Sequence, residues 1–161
     1  VSGAPRVWRA QAQDTEDVAR LLIAFRDWFE GDEPSETAMR DSVSRLIVDS
    51  GTEFLLAASA TATAAAGVCQ LRFRHSVWTS REDCWLEDLF VEERARGNGL
   101  GRALVLAAFT RAGERGAARI ELDTNEVNRG AIGLYESLGF SAQSKAHGPL
   151  QGRDLFMGRR L

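Results

Sequence analysis

Residues 84–110, CWLEDLFVEERARGNGLGRALVLAAFT, decide the fold. They read as an apolar strand, an Arg/Gly-rich turn and a helix that is apolar on most of its faces. Gly97, Gly99 and Gly101 stand at alternate positions and leave backbone N–H groups uncovered by side chains at the positive end of the helix macrodipole. Such a turn is either an anion cradle or only a tight strand-to-helix connection.

Two nucleotide motifs fail here. A dinucleotide fingerprint counted from Gly97 needs a sixth-position glycine and meets Arg102, and counted from Gly99 it meets Leu104. A phosphate-binding P-loop needs Lys and Ser/Thr after its last glycine, where this chain has Arg102 and Ala103.

Arg96, Gly97, Asn98, Gly99, Leu100 and Gly101 match the Q/R-x-x-G-x-G/A signature of the GNAT superfamily of N-acetyltransferases in full. The segment resembles that family's coenzyme A pyrophosphate loop. Downstream, NRGAIGLYESLGF from Asn128 to Phe140 resembles the superfamily's N-x-x-A-x-x-L-Y-x-x-x-G-F segment. Two motifs in the expected order are more specific than either alone. The resemblance implies an α/β protein of the acyl-CoA N-acyltransferase fold, a central mixed sheet of about six or seven strands flanked by about four helices. It also implies acetyl-CoA as cosubstrate, direct transfer of acetyl to an amine without a metal, and a homodimer.

Length and composition agree with one domain spanning 1–161. The longest apolar run, 103–109, is too short to span a bilayer, and no export signal opens the sequence. A net charge of -3 offers no basic footprint for nucleic acid. Cys69 and Cys84 form no metal site and are expected as small core residues in a reducing cytosol, the alternative being that strand neighbours could be close enough to bridge. His75 and His147 are isolated from any triad.

Along the chain, a short strand at 7–10 precedes a helix capped by Asp14 or Thr15, with Val18, Leu21, Leu22, Phe25 and Phe29 on its core face. A second helix is capped by Ser35, faces Met39, Val43, Leu46 and Ile47 inward, and is closed by Gly51. Strands at 53–59 and 67–74 form a hairpin, and a polar loop at 76–83 leads to the central strand at 85–91. Strict alternation puts Trp85, Glu87, Leu89 and Val91 on one face and Leu86, Asp88 and Phe90 on the other, unless a bulge intervenes. The helix at 100–113, apolar nearly all round, is expected to be buried. A strand at 120–122, a helix capped by Asn128 and stopped by Gly139, and closing strands at 140–146 and 154–158 complete a mixed α/β sandwich.

Glu87 and Asp88 are adjacent carboxylates inside an apolar strand, where a buried charge is costly unless it has a partner or a task. Polyamine and diamine acetyltransferases carry an acidic pair at this place, and the similarity implies Glu87 as the favoured base or ammonium anchor, with Asp88 the alternative. Tyr135, the only tyrosine, takes by resemblance the role of general acid to the coenzyme sulfur, the alternative being a core aromatic on the helical stripe with Ala131 and Leu138. The main chain of Leu89, Phe90 and Val91 corresponds to the family's pantetheine-binding strand, and Asn128 either contacts the pantetheine arm or only caps its helix. Arg94, Arg96 and Arg102 flank the loop and could screen phosphates. Trp28, Glu30, Asp32 and Glu33 make an aromatic, acidic connection suited to a cationic, polyamine-like amine, or else a solvated turn. Aminoglycoside or peptide amines, and a non-catalytic acyl-CoA sensor, are the alternatives.

Overall fold

A computed structural model describes residues 3–141, in two compact units, Val1–Asp123 and Thr124–Leu161. The first unit contains β1 (Arg6–Arg9), α1 (Thr15–Trp28), α2 (Glu36–Leu46), β2 (Thr52–Ala58), β3 (Gly67–Ser76), β4 (Arg81–Val91), α3 (Leu100–Glu114) and β5 (Ile120–Glu121). The second contributes α4 (Arg129–Ser137). The sheet order is β1-β2-β3-β4-β5, antiparallel through β4 and parallel between β4 and β5. This is the expected mixed α/β architecture, with five strands among the described residues. The closing strands expected beyond residue 141, and His147, lie outside them.

Local chemistry accounts for most element starts. The Ser35 hydroxyl accepts from the N–H of Ala38 at 3.3 Å and caps α2 as expected. Asp14 acts one turn earlier than expected. Its carboxylate accepts from the N–H of Gln11 at 2.8 Å and closes a short turn ahead of α1. Gly51 does not close α2, which ends at Leu46 before two further turns. The expected loop at 76–83 narrows to a turn at 77–80, because β3 and β4 stay paired out to Ser76 and Arg81.

Within the first unit, α1 and α2 cover one face of the sheet and α3 covers the other. Val18, Leu21 and Leu22 of α1 and Val43 of α2 form a core with Phe54, Leu56, Val68 and Phe90. On the opposite face α3 buries Leu100, Leu104, Val105, Ala108 and Ala112. The expectation that α3 is buried all round is corrected: Leu106 is 44% exposed, since only one side of the helix meets the sheet. Its last turns carry cations to the sheet. Arg111 donates to both carboxylate oxygens of buried Glu53, at 2.7 and 2.8 Å, and Arg115 lies 4.0 Å from the Phe73 ring centroid.

The central strand breaks its alternation at Glu87. Gln70 pairs with Asp88 and Leu71 with Leu86, so Glu87 is the extra residue of a β-bulge. The bulge overturns the strict alternation expected for this strand. Asp88 and Phe90 face α1 and α2, whereas Leu86, in register with Leu71, belongs to the α3 face.

Candidate active site

Bonding along β3 and β4 determines which backbone groups are free for a ligand. Glu92 donates its N–H to Ala66 at 2.9 Å, and alternation along the antiparallel ladder then directs Phe90 and Asp88 toward β3. The main-chain groups of Leu89 and Val91 therefore point the other way, toward the side of β5. There β5 pairs only with Cys84 and Trp85, and the strand edge beyond them is left open by β5. The carbonyl of Val91 uses this direction to accept from Arg96 Nε at 3.0 Å.

The glycine turn lies between that strand and α3. Gly97 and Gly99 have φ of 76° and 81°, in the left-handed region that a Cβ disfavours. A Cβ on Gly97 would meet nothing within 4 Å, so the turn borders open space. The first intrahelical bond of α3 runs from Ala103 to Gly99, which leaves the N–H groups of Leu100 and Gly101 at the helix mouth without helical acceptors. This donor set fits a pyrophosphate. The three arginines expected to screen it differ. Arg94 pairs with Glu92 at 2.7 Å, and Arg96 turns back over Trp28, 5.0 Å from its ring centroid; Arg102 lies in the first turn of α3.

A cavity of about 380 Å³ opens between α1, α2 and the sheet. Its walls include Leu22, Phe25, Phe29, Met39, Val43 and Leu46. Phe54, Gln70 and Asp88, register partners on three successive strands, form the sheet side. Phe29, expected in the core, is 62% exposed and stands at this cavity because α1 ends at Trp28. Arg26 and Glu33 also line it. The Arg26 guanidinium is already engaged, donating to Asp27 at 2.6 Å and to the Pro34 carbonyl at 2.6 Å.

Asp88 is the chemically distinctive group of the cavity. Burial pushes its carboxyl up to about 6, with the nearby charges of Glu87 and Asp123 adding to the rise. Among the described residues no cation pairs with it. Glu87, by contrast, is exposed. Of the other residues expected to meet the acceptor, Glu33 lines the cavity, Trp28 is 42% exposed beneath Arg96, and Glu30 and Asp32 are exposed on the connection. Sequence reasoning passed over Gln70. Its one signal was a polar residue in the apolar run GVCQLRF, and the side chain is 6% exposed.

In the second unit, the Asn128 side chain accepts from the N–H of Ala131 at 3.4 Å and caps α4. Tyr135 is buried and packs edge-to-face on Phe140, with ring centroids 5.7 Å apart. Gly139, at φ 90°, ends the helix as expected.

A mixed sheet whose central strand edge is, among the described residues, left open by β5 beside a glycine-capped helix, and an acid-floored cavity next to that strand, has the parts of an acyl-group transferase. The model of the Acetyltransferase (GNAT) family matches residues 16–140, and the chain belongs to that family. Its relatives include a thialysine N-epsilon-acetyltransferase of Sus scrofa, 32% identical over 76 residues, covering 47% of this chain and 44% of that protein. A mycothiol acetyltransferase of Thermobispora bispora is 47% identical over 51 residues, covering 32% of this chain and 17% of that protein. The chain thus spans less than half the length of these curated relatives. A solved acetyltransferase candidate from Arthrobacter sp. FB24 superposes with a TM-score of 0.80 at 28% identity, covering 99% of this chain and 96% of that one.

Proposed function

We propose that this protein is an acetyl-CoA-dependent N-acetyltransferase that acetylates the primary amine of a small cationic acceptor. The observation that carries the reading is Asp88, an acid without a cationic partner among the described residues, facing a mostly apolar cavity from the strand whose other edge is left open by β5. The family match runs across both units, which supports treating 1–161 as one catalytic domain.

Acetyl-CoA supplies the activated acetyl group. The N–H groups of Leu100 and Gly101, with the open turn at Gly97, would hold its pyrophosphate, and the main chain of Leu89 and Val91 would bind the pantetheine arm. A free N–H on this strand would also stabilise negative charge developing on the thioester oxygen. Asp88 would hold the acceptor ammonium and take one of its protons, a task suited to an acid titrating near 6. The freed amine forms the C–N bond as the C–S bond breaks, and the second nitrogen proton ends on the departing thiol. Tyr135 enters as the acid protonating that sulfur on the strength of the motif alone. The preference for Glu87 as base passes to Asp88, because the bulge leaves Glu87 exposed while Asp88 lines the cavity.

A cationic amine acceptor draws support from the acidic connection and from the thialysine enzyme among the relatives. The buried free thiols of Cys69 and Cys84 support a reducing compartment, and the homodimer is carried over from the resemblance. Thiol release from acetyl-CoA over a no-amine blank, across primary amines of several classes, tests the activity. Saturable release with at least one class is expected, and an unchanged blank with every amine overturns the enzyme reading.

A further inference from the structure

We infer that the acceptor is an amine carrying a single cation on an apolar body, an alkyl- or arylalkylamine, in preference to a polyamine. The inference rests on the proposed acetyl transfer and names the substrate class of the same cavity.

The sheet side of the cavity provides one place for an ammonium. Asp88 lies on the sheet side beside Gln70, its cross-strand partner. The Gln70 amide has no hydrogen bond within the described residues, yet none of its polar atoms is both buried and unsatisfied. Its polar atoms therefore retain access to the cavity, where the amide can bond to the amine or to the nascent amide. Around this polar pair the surface is apolar: Leu22, Phe25, Phe29, Met39, Val43 and Leu46.

A second ammonium would have to leave water among those side chains. Glu33, the other acid on the cavity, is exposed on the connection between α1 and α2, where pairing with an ammonium gains little against water, and the Arg26 charge beside it is already taken up by Asp27. A methylene or ring in the same place gains instead from the removal of apolar surface from water, by roughly fourfold in affinity per buried methylene. The aromatic faces of Phe25 and Phe29 give a ring further surface to stack on.

The test pairs molecules of equal length. Hexylamine and 1,5-diaminopentane differ in that a terminal methyl replaces an ammonium, and 2-phenylethylamine adds a ring. Each is titrated calorimetrically into the full chain with coenzyme A present, and thiol release from acetyl-CoA is measured in parallel. Hexylamine and 2-phenylethylamine should bind at least tenfold tighter than the diamine, with affinity rising roughly three- to fourfold per methylene from propylamine upward. Asp88→Asn should weaken the monoamines while coenzyme A affinity is kept. Equal or tighter binding of the diamine overturns the inference, as does a flat alkylamine series. The two readings part cleanly: monoamine binding without thiol release with any amine removes the transferase reading and leaves the monoamine only as the ligand class of the cavity, whereas release favouring the diamine keeps the transferase and overturns the monoamine preference.

Discussion

Asp88 and Gln70 are direct cross-strand partners, the last pair before the bulge at Glu87, and both line the cavity beneath α1 and α2. Without the extra residue, the alternation of β4 would put Leu86 on the cavity face in phase with Asp88. With it, Leu86 joins the α3 core and the cavity keeps an acid on its sheet side.

Asp88→Asn is expected to lower kcat/KM by about a hundredfold, while Glu87→Gln stays within about threefold of the parent. For the parent, kcat/KM should climb with pH through about 6 and level off, because the ionised carboxylate is the working form. Removing the charge also acts on stability. An acid raised on folding binds its proton more tightly in the native state, so it costs stability as pH rises from its ordinary value of 3.8 to about 6. The Asn variant should therefore be the more stable protein above pH 6, by up to about 3 kcal/mol in denaturant unfolding, and lose that advantage near pH 4. A greater loss of activity in Glu87→Gln than in Asp88→Asn would return the base to Glu87.

Glu53 supplies the opposite case. Burial alone would raise its carboxyl, but the two hydrogen bonds from Arg111 prevail and hold it below the ordinary range, helped by Arg9 and Arg115. Its contribution is present above its ordinary value of 4.5 and disappears as pH falls through the lowered one. Glu53→Gln should destabilise the fold by about 3 kcal/mol at pH 7, read by denaturant unfolding, because Arg111 and Arg115 lose a buried anion that ties α3 to β2. The deficit should narrow in acid. A pH-independent deficit would mean that packing, not the ion pair, holds α3 in place.

The order of elements was legible because each carries its own local signal: Ser35 and Asn128 as caps, Gly139 as a left-handed stop, and the apolar period of α1. The phase of β4 was not legible, since the bulge is a property of how β3 and β4 pair, and neither strand encodes it alone. For the same reason Glu87 and Asp88 looked equivalent in sequence. Gln70 went unread because its meaning depends on Asp88 across the ladder, and α3 looked buried all round because its pattern does not show how many neighbours it has.

Gly97 and Gly116 together give a controlled test of the glycine turn. Both have positive φ, 76° and 70°, and at both a Cβ would meet nothing within 4 Å. Alanine at either position therefore brings the same backbone strain, about 1 kcal/mol, with no clash inside the protein. They differ in place: Gly97 precedes the open N-terminus of α3, while Gly116 follows its C-terminus. If the turn holds the coenzyme's pyrophosphate, the Gly97→Ala methyl occupies space that the phosphates need. Gly97→Ala should then weaken coenzyme A binding by about tenfold or more, measured by calorimetric titration, while Gly116→Ala keeps the parent affinity. Both variants should show similar small losses in unfolding free energy. Equal coenzyme affinity in the two would mean that strain alone, not a phosphate contact, distinguishes the turn, and the cradle would have to be sought elsewhere on the strand edge.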